Sequence, residues 1–276
     1  MTLLFATLAF ALATLAPQTA DYAAPMGGSH QVDVYAPAGA RGAPVLVWFF
    51  GGGRSSGNRK QFAALGRALA AEGIVFVAPG YRIRTPATPD VTARTIAEDA
   101  GMAIAWTQAH IAQYGGDPRS IVVGGYSAGA HVAALAVLDQ HYIRDAGGDP
   151  RAIAGAFIMS GVLDVRQIPA GAPPAWTHDF GASEDDRWQL SPLKYARADA
   201  PPFEVSCAEH DPPRFPTTRD PFVARMRGLG ASSTTFTEEN ATHGTEFTRV
   251  MLPADPLHQE ILAFVKAHAA PPAGVK

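Results

Sequence analysis

The chain has a single cysteine, Cys207, among its 276 residues. No disulfide can therefore form within it, and a disulfide scaffold or a cysteine-built metal cluster is excluded. A chain of this length can bury a core large enough to need no such staples, so Cys207 reads as a small core residue at a strand end. Charge is scarce as well: Asp, Glu, Lys and Arg make up 17% of the residues, with a formal net charge of -3, against roughly 25% charged residues in ordinary soluble domains. No dense Lys/Arg cluster is present, which argues against a nucleic-acid partner. Long hydrophobic runs are also missing. The apolar run at residues 3–15 falls short of the roughly 20 residues a membrane-spanning helix needs. Residues 1–20 carry no charged side chain and match a secretory signal with cleavage after Ala20. That reading predicts a secreted or periplasmic protein with no stable membrane insertion after signal removal. The other reading is an N-terminal helix packed on the body of a cytoplasmic protein.

What is present alternates. Residues 44–50 (Pro-Val-Leu-Val-Trp-Phe-Phe) and 74–78 are short and almost wholly apolar, the pattern of strands buried on both faces. Residues 30–35 alternate and end near Pro37, which predicts an opening strand, and residues 61–71 read as a helix stopped by Gly73. Between 92 and 114, Ile96, Ala100, Ala103, Ile104 and Ile111 mark one face of a long helix, which Gly115-Gly116 ends. Further strands are expected at 121–124, 154–159, 203–206 and 234–238, and a last helix at 256–268. Gly-Gly-Asp-Pro-Arg occurs at 115–119 and again at 147–151, each time before an apolar strand, so one turn chemistry is used twice. This alternation implies an α/β fold with a mostly parallel sheet and helices on both faces. It forms one domain over residues 21–268, followed by a flexible tail at 269–276.

In such sheets, ligands bind at the carboxyl ends of the strands. Gly125-Tyr-Ser-Ala-Gly129 lies at such an end, with the strand 121–124 before it and an Ala/Val/Leu run after it. A tight strand-to-helix turn needs small residues on both sides of the turning residue, so this spacing makes Ser127 a candidate nucleophile. The following helix aims its positive end and free N–H groups at the same spot. Phe50-Gly51-Gly52-Gly53 follows the strand at 44–50. Successive glycines let backbone N–H groups approach an oxyanion, so Gly52, Gly53 and Ala128 are the expected donors. The loop lacks the spacing of the phosphate-binding glycine motifs. A serine needs a base, and the base needs an orienting group. His243, past the last expected strand, is the candidate base among nine histidines. His131, one turn beyond Ser127, reads as a packed helix residue, and His210 adjoins the acid. Asp211, fixed by Pro212-Pro213, is the candidate acid, with Glu209 as its alternative. Residues 162–190 are the one stretch long enough to form a cover, with Pro173-Pro174, Trp176 and Phe180 to line an entrance.

These stretches, together with Gln31-Val-Asp-Val-Tyr-Ala-Pro, Pro79-Gly-Tyr-Arg, Trp106, Gly116-Asp-Pro-Arg and Ser191-Pro-Leu, resemble the α/β-hydrolase superfamily over residues 30–268. More narrowly the chain looks like its esterase/lipase branch, which includes hormone-sensitive-lipase-like carboxylesterases. The resemblance implies a serine esterase with nucleophile Ser127, acid Asp211, base His243 and oxyanion donors Gly52, Gly53 and Ala128. It implies a small-molecule ester as substrate; the small cover at 162–190 points to short acyl chains, and two-step acyl transfer on a serine needs no metal or cofactor. An amide hydrolase, peptidase or formamidase-like enzyme would share the fold, and a non-catalytic binding protein would share the scaffold. Two positions depart from the family pattern. Phe50 stands where these families usually begin the glycine loop with histidine, and Arg54 where the formamidase-like branch has tryptophan.

Overall fold

The structure, a computed structural model, describes residues 16–23, 27–166 and 175–268. The apolar run at 3–15, Pro173-Pro174 and the tail at 269–276 lie outside the described residues. Eight strands make one sheet: β1 (Gln18–Asp21), β2 (Gln31–Tyr35), β3 (Ala43–Phe49), β4 (Val75–Pro79), β5 (Gly116–Tyr126), β6 (Ile153–Met159), β7 (Phe203–His210) and β8 (Ser233–Thr242). Their order is β1-β2-β4-β3-β5-β6-β7-β8. β1 and β2 are antiparallel to their neighbours, and β4 through β8 run parallel. The helices are α1 (Ala63–Ala71), α2 (Ala93–His110), α3 (Ala128–Leu138), α4 (His141–Asp145), α5 (Ala175–Phe180), α6 (Glu184–Gln189), α7 (Pro216–Gly228), α8 (His243–Arg249) and α9 (Pro256–His268).

The central strands are apolar because helices cover both faces of the sheet. Trp48 of β3 and Phe157 of β6 flank Gly124 of β5 in one row of the sheet. Gly124 has no side chain, and the Trp48 ring fills the space where one would be. Phe62 and Phe264 close over Trp48 and Phe157 edge to face. On the other face lie α2, α3 and α4, in mutual contact. Every residue of α3 is buried, as a helix apolar all round must be. Asp99 of α2 is fully buried and binds the Arg82 guanidinium, the Arg82 N–H and His30 Nε2. That cluster ties α2 to the chain entering β2 and the chain leaving β4.

Several elements differ from the sequence expectation for identifiable reasons. β1 is short and polar, so no apolar alternation marks it. It is held by its ladder to β2 and by Thr19 Oγ1 donating to Asp33 Oδ1. Ala20 lies inside β1, so the ordered chain already contributes at Gln18, ahead of residue 21. The long helix ends at His110, and a 3-10 turn (Ile111–Tyr114) carries the chain to Gly115, whose φ is +86°. β5 starts at Gly116, β7 runs on to His210 and β8 to Thr242, beyond the apolar cores that announced them. In both Gly-Gly-Asp-Pro-Arg copies the aspartate accepts from the N–H and the guanidinium of the arginine two residues on, the shared turn chemistry of the two copies. α7 went unseen because its sequence, Pro-Thr-Thr-Arg-Asp-Pro at the start, lacks an apolar stripe.

Gly101 sits mid-helix in α2, where a methyl group would fall 2.1 Å from the Tyr142 carbonyl oxygen of α4. Gly→Ala inside a helix normally stabilises by up to about 1 kcal/mol. Here the backbone contact reverses the sign, and Gly101→Ala should destabilise by about 1–3 kcal/mol, measured by urea unfolding.

Candidate active site

Ser127 joins β5 to α3 with φ +56° and ψ -116°, a strained conformation for a residue with a side chain. Its N–H donates to the Met159 carbonyl of β6, and its own carbonyl accepts from His131. The turn has no room for side chains on either flank. A Cβ at Gly125 would lie 2.7 Å from the Phe49 oxygen, and one at Gly129 2.2 Å from it. Among the described residues, the non-glycine positions with positive φ are Arg54, Ser127, Ser160 and Asn240. All four fall near or beyond the carboxyl ends of strands β3, β5, β6 and β8.

The structure brings together the three residues that the sequence singled out. His243 Nε2 lies 2.9 Å from Ser127 Oγ, and Nδ1 lies 2.8 Å from Asp211 Oδ1. Asp211 Oδ2 accepts from the Ser160 hydroxyl at 2.5 Å and from the Ala208 N–H at 3.1 Å. The Asp211 carboxylate is fully buried, while 23% of the His243 side chain is exposed. With Nδ1–H pointing at a carboxylate, Nε2 is left as an acceptor for the serine proton. The expected loop position of His243 is corrected: it is the first residue of α8, after the Thr242 cap and its reciprocal hydrogen bonds with Thr245. Its ring is stacked between Phe215 at 4.4 Å and Tyr126 at 4.9 Å, and the Tyr126 hydroxyl donates to the His243 carbonyl. The Glu209 carboxylate is engaged elsewhere, accepting the Asn240 N–H at 2.7 Å. His210, like Glu209, is exposed.

The glycine loop is braced through Phe50. Its ring stacks on Tyr81 at 3.9 Å with 6° between the planes, and the Tyr81 hydroxyl donates to the Phe50 carbonyl. The Gly52 carbonyl accepts from the Ser55 and Ser56 N–H groups. Because a peptide's N–H points opposite to its C=O, the Gly53 N–H is turned away from that turn. At Gly51 a Cβ would strike the Tyr126 ring at 2.6 Å.

Arg54 follows, buried beneath the described part of the 162–190 stretch. Its Nε donates to Asp179 of α5, and its guanidinium sits 4.3 Å above the Phe180 ring. Burial pushes the Arg54 pKa down, and Asp179 opposes the shift. Arg84 binds the other oxygen of Asp179, and its N–H donates to the Arg54 carbonyl. Trp176 and Phe180 are buried, so they form the underside of this cover. His131 is packed as expected. Burial pushes its pKa down to about 4, with Arg54 adding to the shift. As a neutral ring it donates from Nε2 to the Leu190 carbonyl. Burial likewise pushes the Cys207 thiol up to about 12, which leaves it unreactive.

One residue at the site escaped the sequence reading. Glu246, one turn along α8, places Oε1 3.6 Å from His243 Nδ1 with its side chain fully buried. The signal available was its i+3 spacing from His243, visible only once α8 is known to be helical. Asp211, His243 and Glu246 are the one trio of potential metal ligands among the described residues. Both ring nitrogens of His243 are already engaged by Asp211 and Ser127.

On a sheet of this order, Ser127 follows β5, Asp211 follows β7 and His243 follows β8, the chain order of the α/β-hydrolase superfamily, to which this chain belongs. The carboxylesterase family model matches residues 31–167. The chain is 30% identical to the esterase LipQ of Mycobacterium tuberculosis over 257 residues, 83% of this chain and 57% of that protein. It is 32% identical to the probable carboxylic ester hydrolase LipM of the same organism over 182 residues, 61% of this chain and 41% of that one. It thus spans little more than half the length of these curated relatives, or less. The apo form of Thermogutta terrifontis esterase 2 superposes with a TM-score of 0.74 at 25% identity, covering 93% of this chain and 97% of that one. These likenesses support the carboxylesterase/lipase branch of the superfamily. Among the described residues no helix is long and apolar enough to cross a membrane.

Burial pushes the Glu246 pKa from 4.5 up to about 9. The folded value lies above the unfolded one, so folding takes up a proton between them. Its contribution to stability is intact below about pH 4.5 and is lost progressively as the pH rises to about 9. Glu246→Gln should therefore gain stability relative to the parent as pH rises across this range, read as a growing difference in urea midpoint.

Proposed function

We propose that this chain hydrolyses carboxylic esters of short acids through an acyl-enzyme on Ser127. The observation that carries the reading is the unbroken hydrogen-bond chain from Ser127 Oγ through His243 to Asp211, at 2.9 and 2.8 Å. It sits at the end of a strained elbow, where a nucleophile is wanted.

In the first step Ser127 Oγ attacks the ester carbonyl while His243 Nε2 takes its proton. Asp211 keeps the imidazole in the right tautomer and stabilises the imidazolium. The carbonyl oxygen gains negative charge, which the N–H groups of Gly52, Gly53 and Ala128 receive. Collapse of this intermediate expels the alcohol, which takes the proton back from Nε2. Water then enters, loses a proton to the same nitrogen and releases the acid, restoring the serine. The donors of the oxyanion site are backbone groups, so Phe50 in place of histidine leaves them intact. Its stacking on Tyr81 supplies bracing of a different kind.

Acyl size is limited by the cover. Arg54, Asp179 and the rings of Trp176 and Phe180 fill the space beside the glycine loop. A propionate-bound structure of Thermogutta terrifontis esterase 2 supports the choice of a short acyl group. We read the apolar N-terminal stretch as an export signal. N-terminal sequencing of exported protein would show whether processing spares β1.

Ser127→Ala should lower hydrolysis of p-nitrophenyl acetate by about 10⁴-fold or more with unchanged circular dichroism. Rates on p-nitrophenyl esters should fall from acetate and butyrate to decanoate, and the matched anilide should turn over far more slowly. Activity of Ser127→Ala equal to the parent would overturn the assignment. A faster anilide would turn it toward amide hydrolysis.

A further inference from the structure

Glu246 takes no part in the reaction proposed above, yet it shares the pocket of the base. Both of its carboxyl oxygens are buried, and neither has a hydrogen bond of good geometry. The groups that face it come from four strands. They are Asp211 and the Cys207 thiol at β7, Glu238 of β8, the Tyr126 phenol of β5 and Ser160 at the end of β6. Glu238 is engaged by the Arg249 guanidinium, three residues along α8. None of these facing groups is a cation. Among the described residues, the ion-pair partner that reaches Glu246 is His243, 3.6 Å away, while Arg249 is taken up by Glu238 and Asp255.

Two buried carboxyl groups this close do not both ionise cheaply, so the pair retains a proton. The surroundings decide which carboxyl holds it. Asp211 accepts from His243 Nδ1–H, Ser160 Oγ–H and Ala208 N–H, and each of these favours its charged form. Glu246 accepts from none with good geometry. The Ser160 hydroxyl faces it too, but that proton is committed to Asp211, so the oxygen of Ser160 offers Glu246 a lone pair. A protonated Glu246 can donate there, and the run Glu246–Ser160–Asp211–His243 is then satisfied at every step.

We propose that Glu246 is a positioning residue held in reserve behind Asp211. It is neutral while Asp211 carries the charge, and it becomes the acceptor for His243 Nδ1–H when Asp211 cannot serve. The inference rests on Ser127 and His243 being nucleophile and base. Taking over requires only that Glu246 release its proton to solvent and that a side-chain rotation bring Oε1 into hydrogen-bond range of Nδ1.

The test compares kcat/KM against pH on p-nitrophenyl acetate for the parent, Glu246→Gln, Asp211→Ala and the double variant, with a fluorophosphonate probe labelling Ser127 in each. Asp211→Ala should retain activity roughly tenfold or more above the double variant, rising with pH as Glu246 ionises. A merely structural Glu246 would not produce that pH-dependent gap. With Asp211 present, Glu246→Gln should leave the acid limb where the parent has it. Removal of a charged Glu246 would instead move that limb down by about a pH unit or more. Equal rates for Asp211→Ala and the double variant at every pH, or a downward shift of the acid limb in Glu246→Gln, overturns the role. If Asp211→Ala does not fold, Asp211→Asn with and without Glu246→Gln makes the same comparison. A parent that neither labels nor hydrolyses the ester sinks the hydrolase reading, and this role with it. An active, labelled parent with either overturning result sinks the role of Glu246 alone.

Discussion

The first turn of α3 rests directly on the last carbonyls of β3. A methyl group at Gly129 would fall 2.2 Å from the Phe49 oxygen and 2.3 Å from that of Phe50. Nothing separates the two segments, so the serine at the head of α3 and the glycine loop that leaves β3 are placed relative to each other by backbone alone. Much else in the molecule serves to hold that contact. The Trp48 and Phe157 rows fix the sheet beneath it, the wholly apolar α3 needs burial on every side, and Tyr81 holds the Phe50 carbonyl from the opposite direction. Ser127, at this contact, holds a positive φ that costs of order 1–3 kcal/mol.

In this chain poor in charge, three buried aspartates each join separate segments. Asp99 gathers Arg82 and His30 under the sheet. Asp179 gathers Arg54 and Arg84 under the cover. Asp211 faces His243. The second of these ties the cover to the residue after the glycine loop, so cover and loop share one ion cluster. His131, between them and one turn from Ser127, stays neutral because burial and Arg54 both oppose its protonation.

Much of this was legible in the residues. The parallel strands announced themselves as apolar runs, and the elbow as glycines around Ser127. Chain order then singled out His243 among nine histidines, and the Pro212-Pro213 loop favoured Asp211, with Glu209 as the alternative. What escaped had a common cause. β1, α7 and α8 carry no apolar period, because they form at the edge of the sheet or at its exposed ends and are fixed by ladder bonds, a proline start and a threonine cap. Missing α8 meant missing Glu246, since its position beside His243 exists only if the backbone turns there. The bracing of Phe50 by Tyr81 was likewise hidden, because it joins residues brought close by two different strands.

The packing of His243 between Phe215 and Tyr126 has a consequence for the order of events. A ring clamped on both faces, with its carbonyl held as well, cannot turn to meet a second nucleophile elsewhere. Under the proposed reaction the nitrogen that hands a proton to the departing alcohol must collect one from whatever arrives next, at the same point in space. Water and alcohol are then rivals for a single vacated seat. Whether the acyl group ends as a free acid or is passed to another alcohol is decided by occupancy of that seat, and the clamped imidazole makes no distinction between them.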